Sequence, residues 1–128
     1  MSATVHSTFD EKLTRLWTGP LPADSAWVIQ FPTRATLGNG HISAGSNNQI
    51  NRAWAIYSDP SCATMVPGSS GEGIATVYLP FSVGANMGGK PALEPNRNYW
   101  LRIENLPSGD FDPAMEADLT LPHAPPHH

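Results

Sequence analysis

The side chains suited to chemistry fall into four small groups: histidines at the end of the chain, carboxylates just before them, one cysteine, and two adjacent serines among glycines. His123, His127 and His128 offer imidazoles, a common metal ligand. They lie in PHAPPHH, which has too little apolar content to pack and therefore cannot hold a second shell in place, so they read as a tail. His6 and His41 are isolated in the sequence. Asp110, Asp112, Glu116 and Asp118 carry the hard oxygens calcium prefers, but the glycine and ligand order of an EF-hand are missing, and the run reads as a solvated loop. Cys62 as a nucleophile needs a cation or a helix N-terminus to depress its pKa. Ser69 or Ser70 needs a nucleophile elbow, and GSSGEG lacks the order G-x-S-x-G. There is no Walker sequence, no H-E-x-x-H and no strand-glycine-helix unit for a dinucleotide. No catalytic residue, metal or cofactor is expected; the one route left to an enzyme is a carboxylate pair distant in sequence.

What remains is surface recognition. Tyr57, Tyr78 and Trp100, the last with Arg102 and Glu104 beside it, are aromatic positions that alternate with apolar ones. An outward aromatic on a sheet stacks on sugar rings or anchors a protein interface, and it does so only if strands present it.

The composition supplies such strands. At 128 residues the chain has the size of one domain. Only 14% of residues are charged, too few for a coiled coil or a chain disordered by charge, while 13 prolines and 11 glycines punctuate it at short intervals. Residues 26–31 put Trp27, Ile29 and Phe31 on one face. In QINRAWAIYS, Ile50, Trp54 and Ile56 share a face, opposite Asn51, Ala53, Ala55 and Tyr57, and Arg52 is expected at the strand's wet end. IATVYLPFSV alternates Ala75, Val77, Leu79, Phe81 and Val83, with Pro80 on the other face marking an edge or a bulge. Tyr99, Leu101 and Ile103 alternate with Trp100, Arg102 and Glu104, and residues 117–121 supply a last strand. GNGHISAGSNN reads as a loop with a short strand at residues 41–44.

The start of the chain admits two readings. Phe9, Leu13, Leu16 and Trp17 fit one face of a helix with Thr8 and Glu11 as a capping box, and the helix is slightly favoured; Leu13, Arg15 and Trp17 also alternate as a first strand. The expected architecture is an all-β, two-layer antiparallel sandwich, immunoglobulin- or fibronectin-like or a jelly roll, with a short N-terminal helix. Its parts are an arm or helix over residues 1–19, the sandwich over 20–121 and a flexible tail over 122–128.

The run Leu93-Glu94-Pro95-Asn96-Arg97-Asn98-Tyr99, followed by Trp100-Leu101-Arg102-Ile103, resembles the L-x-P-x-x-x-Y entry into a late strand of fibronectin type III-like sandwiches. The resemblance implies a tyrosine corner, with the Tyr99 ring inside over Leu93 and its hydroxyl bonded to backbone a few residues upstream. AIYSDPSC upstream is similar to small β-sandwich proteins of phages and their hosts. Those often carry a second cysteine before the corner leucine, where this chain has Pro91 and Ala92.

Seven basic against eleven acidic residues, a net charge of −4, leave no basic stretch for nucleic acid. Cys62 alone closes no internal disulfide. MSATVHSTFDEKLTRLW shows no basic segment followed by an apolar one, and no 18 apolar residues run together, so neither a signal peptide nor a membrane partner is expected. The expected role is a non-enzymatic virion accessory protein, a capsid decoration, tail or baseplate component. It would be made in the host cytoplasm and engage virion subunits or its own copies as a homo-oligomer. The alternative is a carbohydrate-binding module that uses the exposed aromatics on a glycan.

Overall fold

Period-two alternation closes both layers of the sandwich. The computed structural model describes residues 4–9, 15–20, 25–45, 52–73, 77–84, 90–105 and 114–122. Among them lie ten strands: β1 (Thr4–Thr8), β2 (Arg15–Pro20), β3 (Ala26–Pro32), β4 (Gly38–Gly45), β5 (Arg52–Tyr57), β6 (Gly71–Gly73), β7 (Val77–Val83), β8 (Ala92–Leu93), β9 (Asn98–Asn105) and β10 (Ala114–Thr120). Sheet A runs β1-β3-β9-β5-β6 and sheet B runs β2-β10-β4-β7-β8.

Trp27, Ile29 and Phe31 of β3, Ile56 of β5 and Tyr99, Leu101 and Ile103 of β9 face the core from sheet A. Ile42, Ala44, Val77, Leu79, Phe81, Val83, Ala117 and Leu119 face it from sheet B. Each fully buried Ile, Leu or Phe contributes about 1.5–3 kcal/mol relative to an exposed one. The rings of Phe31 and Phe81 meet across the layers at 5.8 Å, and the Trp27 indole N–H donates to the Ser7 hydroxyl at 2.8 Å.

The sandwich is as expected, with particular differences. Both sheets are mixed: β1 runs parallel to β3 and β8 parallel to β7, while the other pairs are antiparallel. No helix occurs among the described residues; Leu16 and Trp17 belong to β2, paired with β10, and Phe9 directly follows β1 with its N–H on the Gln30 carbonyl at 2.8 Å. Leu13 lies outside the described residues. The local pattern served helix and strand equally, and pairing partners on β3 and β10 decided it. Thus the segment expected as an arm supplies one strand to each sheet.

Residues 38–45, read mostly as loop, form an eight-residue strand between β10 and β7. Their glycines misled because one of them serves packing. A Cβ on Gly40 would lie 2.6 Å from the Thr120 carbonyl oxygen and 2.9 Å from the Phe81 ring. Arg52 is also not at a wet end: it is 1% exposed, flanked by Gly73 on β6 and Asn105 on β9, and burial pushes its guanidinium pKa down. Pro80 sits where expected, since among the described residues β8 reaches only Ser82 and Val83 and leaves β7 unpaired beside the proline on that side.

Gly40→Ala is expected to cost about 1–3 kcal/mol by overpacking against a backbone oxygen that cannot rotate away. Ser43→Ala, on the half-exposed side of the same strand, is expected to stay within about 0.5 kcal/mol of the native protein. Urea unfolding of both variants checks the contrast; equal stabilities would show that β4 is not packed as described.

Candidate functional site

The same pleat that buries Leu101 and Ile103 turns Trp100, Arg102 and Glu104 onto the outer face of sheet A. On the neighbouring strand β5, Tyr57 lies opposite Trp100, Ala55 opposite Arg102 and Ala53 opposite Glu104. Directly opposed side chains stand about 5 Å apart, so two methyl groups beside two long polar chains leave unfilled space. The space is a half-open depression of about 190 Å³. Ala53 and Ala55 form its floor, Arg102 and Glu104 one wall, and Tyr57, Met65, Ser70 and Gly71 line the rest with part of Trp54.

Two local devices hold the far wall. The first is the segment after β5, where the Asp59 carboxylate accepts N–H bonds from Ala63 at 3.0 Å and Thr64 at 2.8 Å and a bond from the Ser61 hydroxyl. These bonds, Ser61 first, hold the Asp59 pKa below the ordinary carboxylate range. The turn carries Cys62 at φ 57° and returns the chain so that Met65, 45% exposed, bridges Tyr57. The second device is Ser69, which is fully buried. Its hydroxyl accepts the Ile56 N–H at 3.0 Å and reaches the Val66 carbonyl at 2.7 Å, standing in for a strand neighbour. Gly71 then lies opposite Trp54, where a Cβ would meet the indole at 2.5 Å.

The wall on β9 is an ion pair. Arg102 Nη1 donates to Glu104 Oε2 at 3.0 Å, and both side chains are 35% exposed. The Arg102–Glu104 pair therefore presents a donor and an acceptor whose charges cancel, while the exposed Glu72 on β6 stands opposite Ala53 at the edge of the same face.

Of the residues singled out for binding, the structure brings together Tyr57, Trp100 and Arg102. Tyr57 and Trp100 are half-buried. Tyr78 is elsewhere: it projects from β7 on the outer face of sheet B, 58% exposed, with its ring 5.2 Å from that of His41. Trp27 is core, and Trp54 packs against the core from its rim. Leu93 and Tyr99 are buried and Pro95 is exposed. The Tyr99 hydroxyl accepts the Glu94 N–H at 2.7 Å, and the Arg97 guanidinium lies 5.4 Å from the Tyr99 ring centre. The buried Thr33 hydroxyl accepts the Arg97 N–H at 3.0 Å and clamps the same turn.

The chemistry weighed for other groups meets specific geometry. Burial pushes the Cys62 thiol pKa up, with Arg102 opposing and Asp59 adding to the shift, which disfavours the thiolate a nucleophile needs. Ser69 is committed to backbone. Glu116 and Asp118 lie on strand β10 and not in the loop expected, and both face Arg15, at 3.0 and 2.7 Å. Asp110, Asp112, His123, His127 and His128 lie outside the described residues. No group of three metal-ligating side chains occurs among the described ones.

Reading the sequence missed the alanine floor, Met65 and Gly71. The available signal was small residues at alternate positions of one strand facing long polar ones of another, which becomes visible only once β5 and β9 are known to pair.

No protein-family model matches this chain, and no curated protein matches it. Among solved structures it is similar to the pre-peptidase C-terminal domain of collagenase from Bacillus anthracis, with TM-score 0.56 and 16% identity over 91% of this chain and 93% of that one. It is also similar to PliG of Aeromonas hydrophila, a periplasmic lysozyme inhibitor of g-type lysozyme, with TM-score 0.52 and 9% identity over 93% and 99%. These likenesses define a class by fold, the small two-sheet β domain. Neither protein is a fibronectin type III domain or a phage protein, so the finer resemblance gains nothing from them.

Because the folded Asp59 pKa lies below its unfolded value, its stabilisation is complete above the ordinary carboxylate range and is lost as pH falls through the folded value. The stability gap between the native protein and Asp59→Asn is expected to be widest near neutrality and to narrow on acidification below about 4. Urea titrations across that range check it, and a gap independent of pH contradicts the assignment.

Proposed function

We propose that the chain is a non-enzymatic binding domain that engages its partner through the outer face of sheet A. The carrying observation is the depression itself: Tyr57 and Trp100 side by side across β5 and β9, next to an alanine floor and a charge-compensated wall. A sheet face that merely meets water has no need of two neighbouring aromatics beside an apolar hollow. Half-exposed Tyr and Trp supply large rigid contact area at low entropic cost, the usual anchors of recognition.

The structural neighbours support a binding role in one respect. One of them is an inhibitor of another protein and the other is a domain of a larger enzyme, collagenase. The narrower virion reading, with the chain decorating a capsid or serving a tail or baseplate, draws no support from either. The aromatic pair favours recognition of a ligand by stacking.

Surface plasmon resonance of the intact chain against a glycan array and a panel of immobilised surface proteins tests the proposal. Binding is expected to weaken roughly tenfold or more for Trp100→Ala and for Tyr57→Ala, with circular dichroism unchanged, and to persist for Tyr78→Ala. Loss with Tyr78→Ala alone would move the site to sheet B and overturn the proposal.

A further inference from the structure

We infer that the depression on sheet A takes the ring of a neutral, polyhydroxylated ligand, a hexopyranosyl residue of a glycan. This rests on the reading of sheet A as the binding face and adds the class of ligand.

Size sets the first limit. At about 190 Å³ the hollow falls below the roughly 300–1,000 Å³ typical of sites for whole cofactors or drug-sized molecules, so it accepts one ring or one side chain. Charge sets the second. Arg102 and Glu104 face the hollow already paired at 3.0 Å, and the exposed Glu72 stands on β6 opposite Ala53, so an anionic ligand meets a like charge at the edge and a cationic one finds the Glu104 carboxylate already taken by Arg102. Polarity sets the third. A purely apolar side chain would cover that ion pair without replacing the water that now solvates its remaining donors and acceptors, a loss that offsets the apolar contact.

A sugar ring meets all three conditions. Its C–H face lies on the half-exposed Ala53, with the buried Ala55 beneath, and against the aromatic ring of Tyr57. Its hydroxyls both donate and accept, which matches a wall holding a guanidinium and a carboxylate and a rim holding the hydroxyls of Tyr57 and Ser70. Trp100, opposite Tyr57, extends the platform for a neighbouring residue of the chain.

The experiment uses the full chain on an array of neutral, sialylated, sulfated and amino-sugar glycans, followed by titration with the methyl glycosides of neutral hexoses under saturation-transfer NMR. Ala53→Leu fills the floor from the outer face without touching the core. Neutral glycans are expected to bind and to lose roughly tenfold or more in affinity in Ala53→Leu, with an unchanged melting curve, while Tyr78→Ala binds as the native chain does. If Ala53→Leu fails to fold, Arg102→Gln, which shortens the side chain to an uncharged amide and removes the charge pair, is expected to show the same loss. Binding confined to sialylated, sulfated or amino-sugar glycans overturns the inference. No glycan binding, with capture of a protein ligand that Ala53→Leu abolishes, overturns the glycan assignment and leaves the binding face standing. Glycan binding unchanged in Ala53→Leu, Arg102→Gln and Trp100→Ala overturns both.

Discussion

Strand β9 is the constraint on which both the fold and the candidate site depend. It is bonded on one side to β3 from Asn98 to Glu104 and on the other to β5 from Trp100 to Asn105, so its pleat cannot rotate without breaking two ladders. That fixed pleat puts Tyr99, Leu101 and Ile103 indoors and Trp100, Arg102 and Glu104 outdoors in the same eight residues. A slip of one residue would exchange the two sets, exposing three buried side chains and burying an ion pair. The hydrophobic core thereby sets the position of the polar wall, and the site inherits its rigidity from the central strand of sheet A.

The turn that leads into β9 is fixed with equal care. The Tyr99 hydroxyl receives the Glu94 N–H, the Thr33 hydroxyl receives the Arg97 N–H, and the Thr33 N–H bonds the Arg97 carbonyl at 2.7 Å. Asn96, at φ 57°, reverses the chain between them. Both side-chain hydroxyls act as surrogate backbone where no strand is available, as the Ser69 hydroxyl does beside Ile56. Buried backbone groups left without partners cost about 1–3 kcal/mol each, so such polar residues stabilise the fold while contributing nothing to its apolar area.

How much of this could be read from the residues follows from what each feature depends on. The inward rows of β3, β7 and β9 were legible because alternation is a local property, and the same alternation turned Tyr57, Tyr78 and Trp100 outward. The strand at Gly38–Gly45 was not, because Gly40 answers to Phe81 and Thr120, residues distant in sequence. Arg52 was misplaced for the same reason: its burial comes from β6 and β9 on its two sides, and a charged side chain in isolation signals water. The grouping of Tyr57 with Trp100 and the separation of Tyr78 follow from strand order, which single-strand patterning does not contain. Ser69 and Cys62 looked like chemistry by type alone, and their surroundings give them other work.

The edges of the sheets differ from the outer face of sheet A in what they offer a partner. An open edge strand recruits other chains by pairing its free N–H and C=O groups, and proteins blunt such edges. On β7 the stretch that β8 leaves unpaired among the described residues holds Pro80, which has no N–H to offer. At the other sheet, the described part of β6 is Gly71–Gly73. The outer face beside β6 carries the opposite pattern: two neighbouring aromatics, alanines in place of long side chains, and an ion pair held ready at the rim. The longer edge strand β1 carries no such proline and β2 has one only at its last residue, Pro20, so the case for sheet A as the proposed binding face rests on the anchors that this face carries and not on the edges.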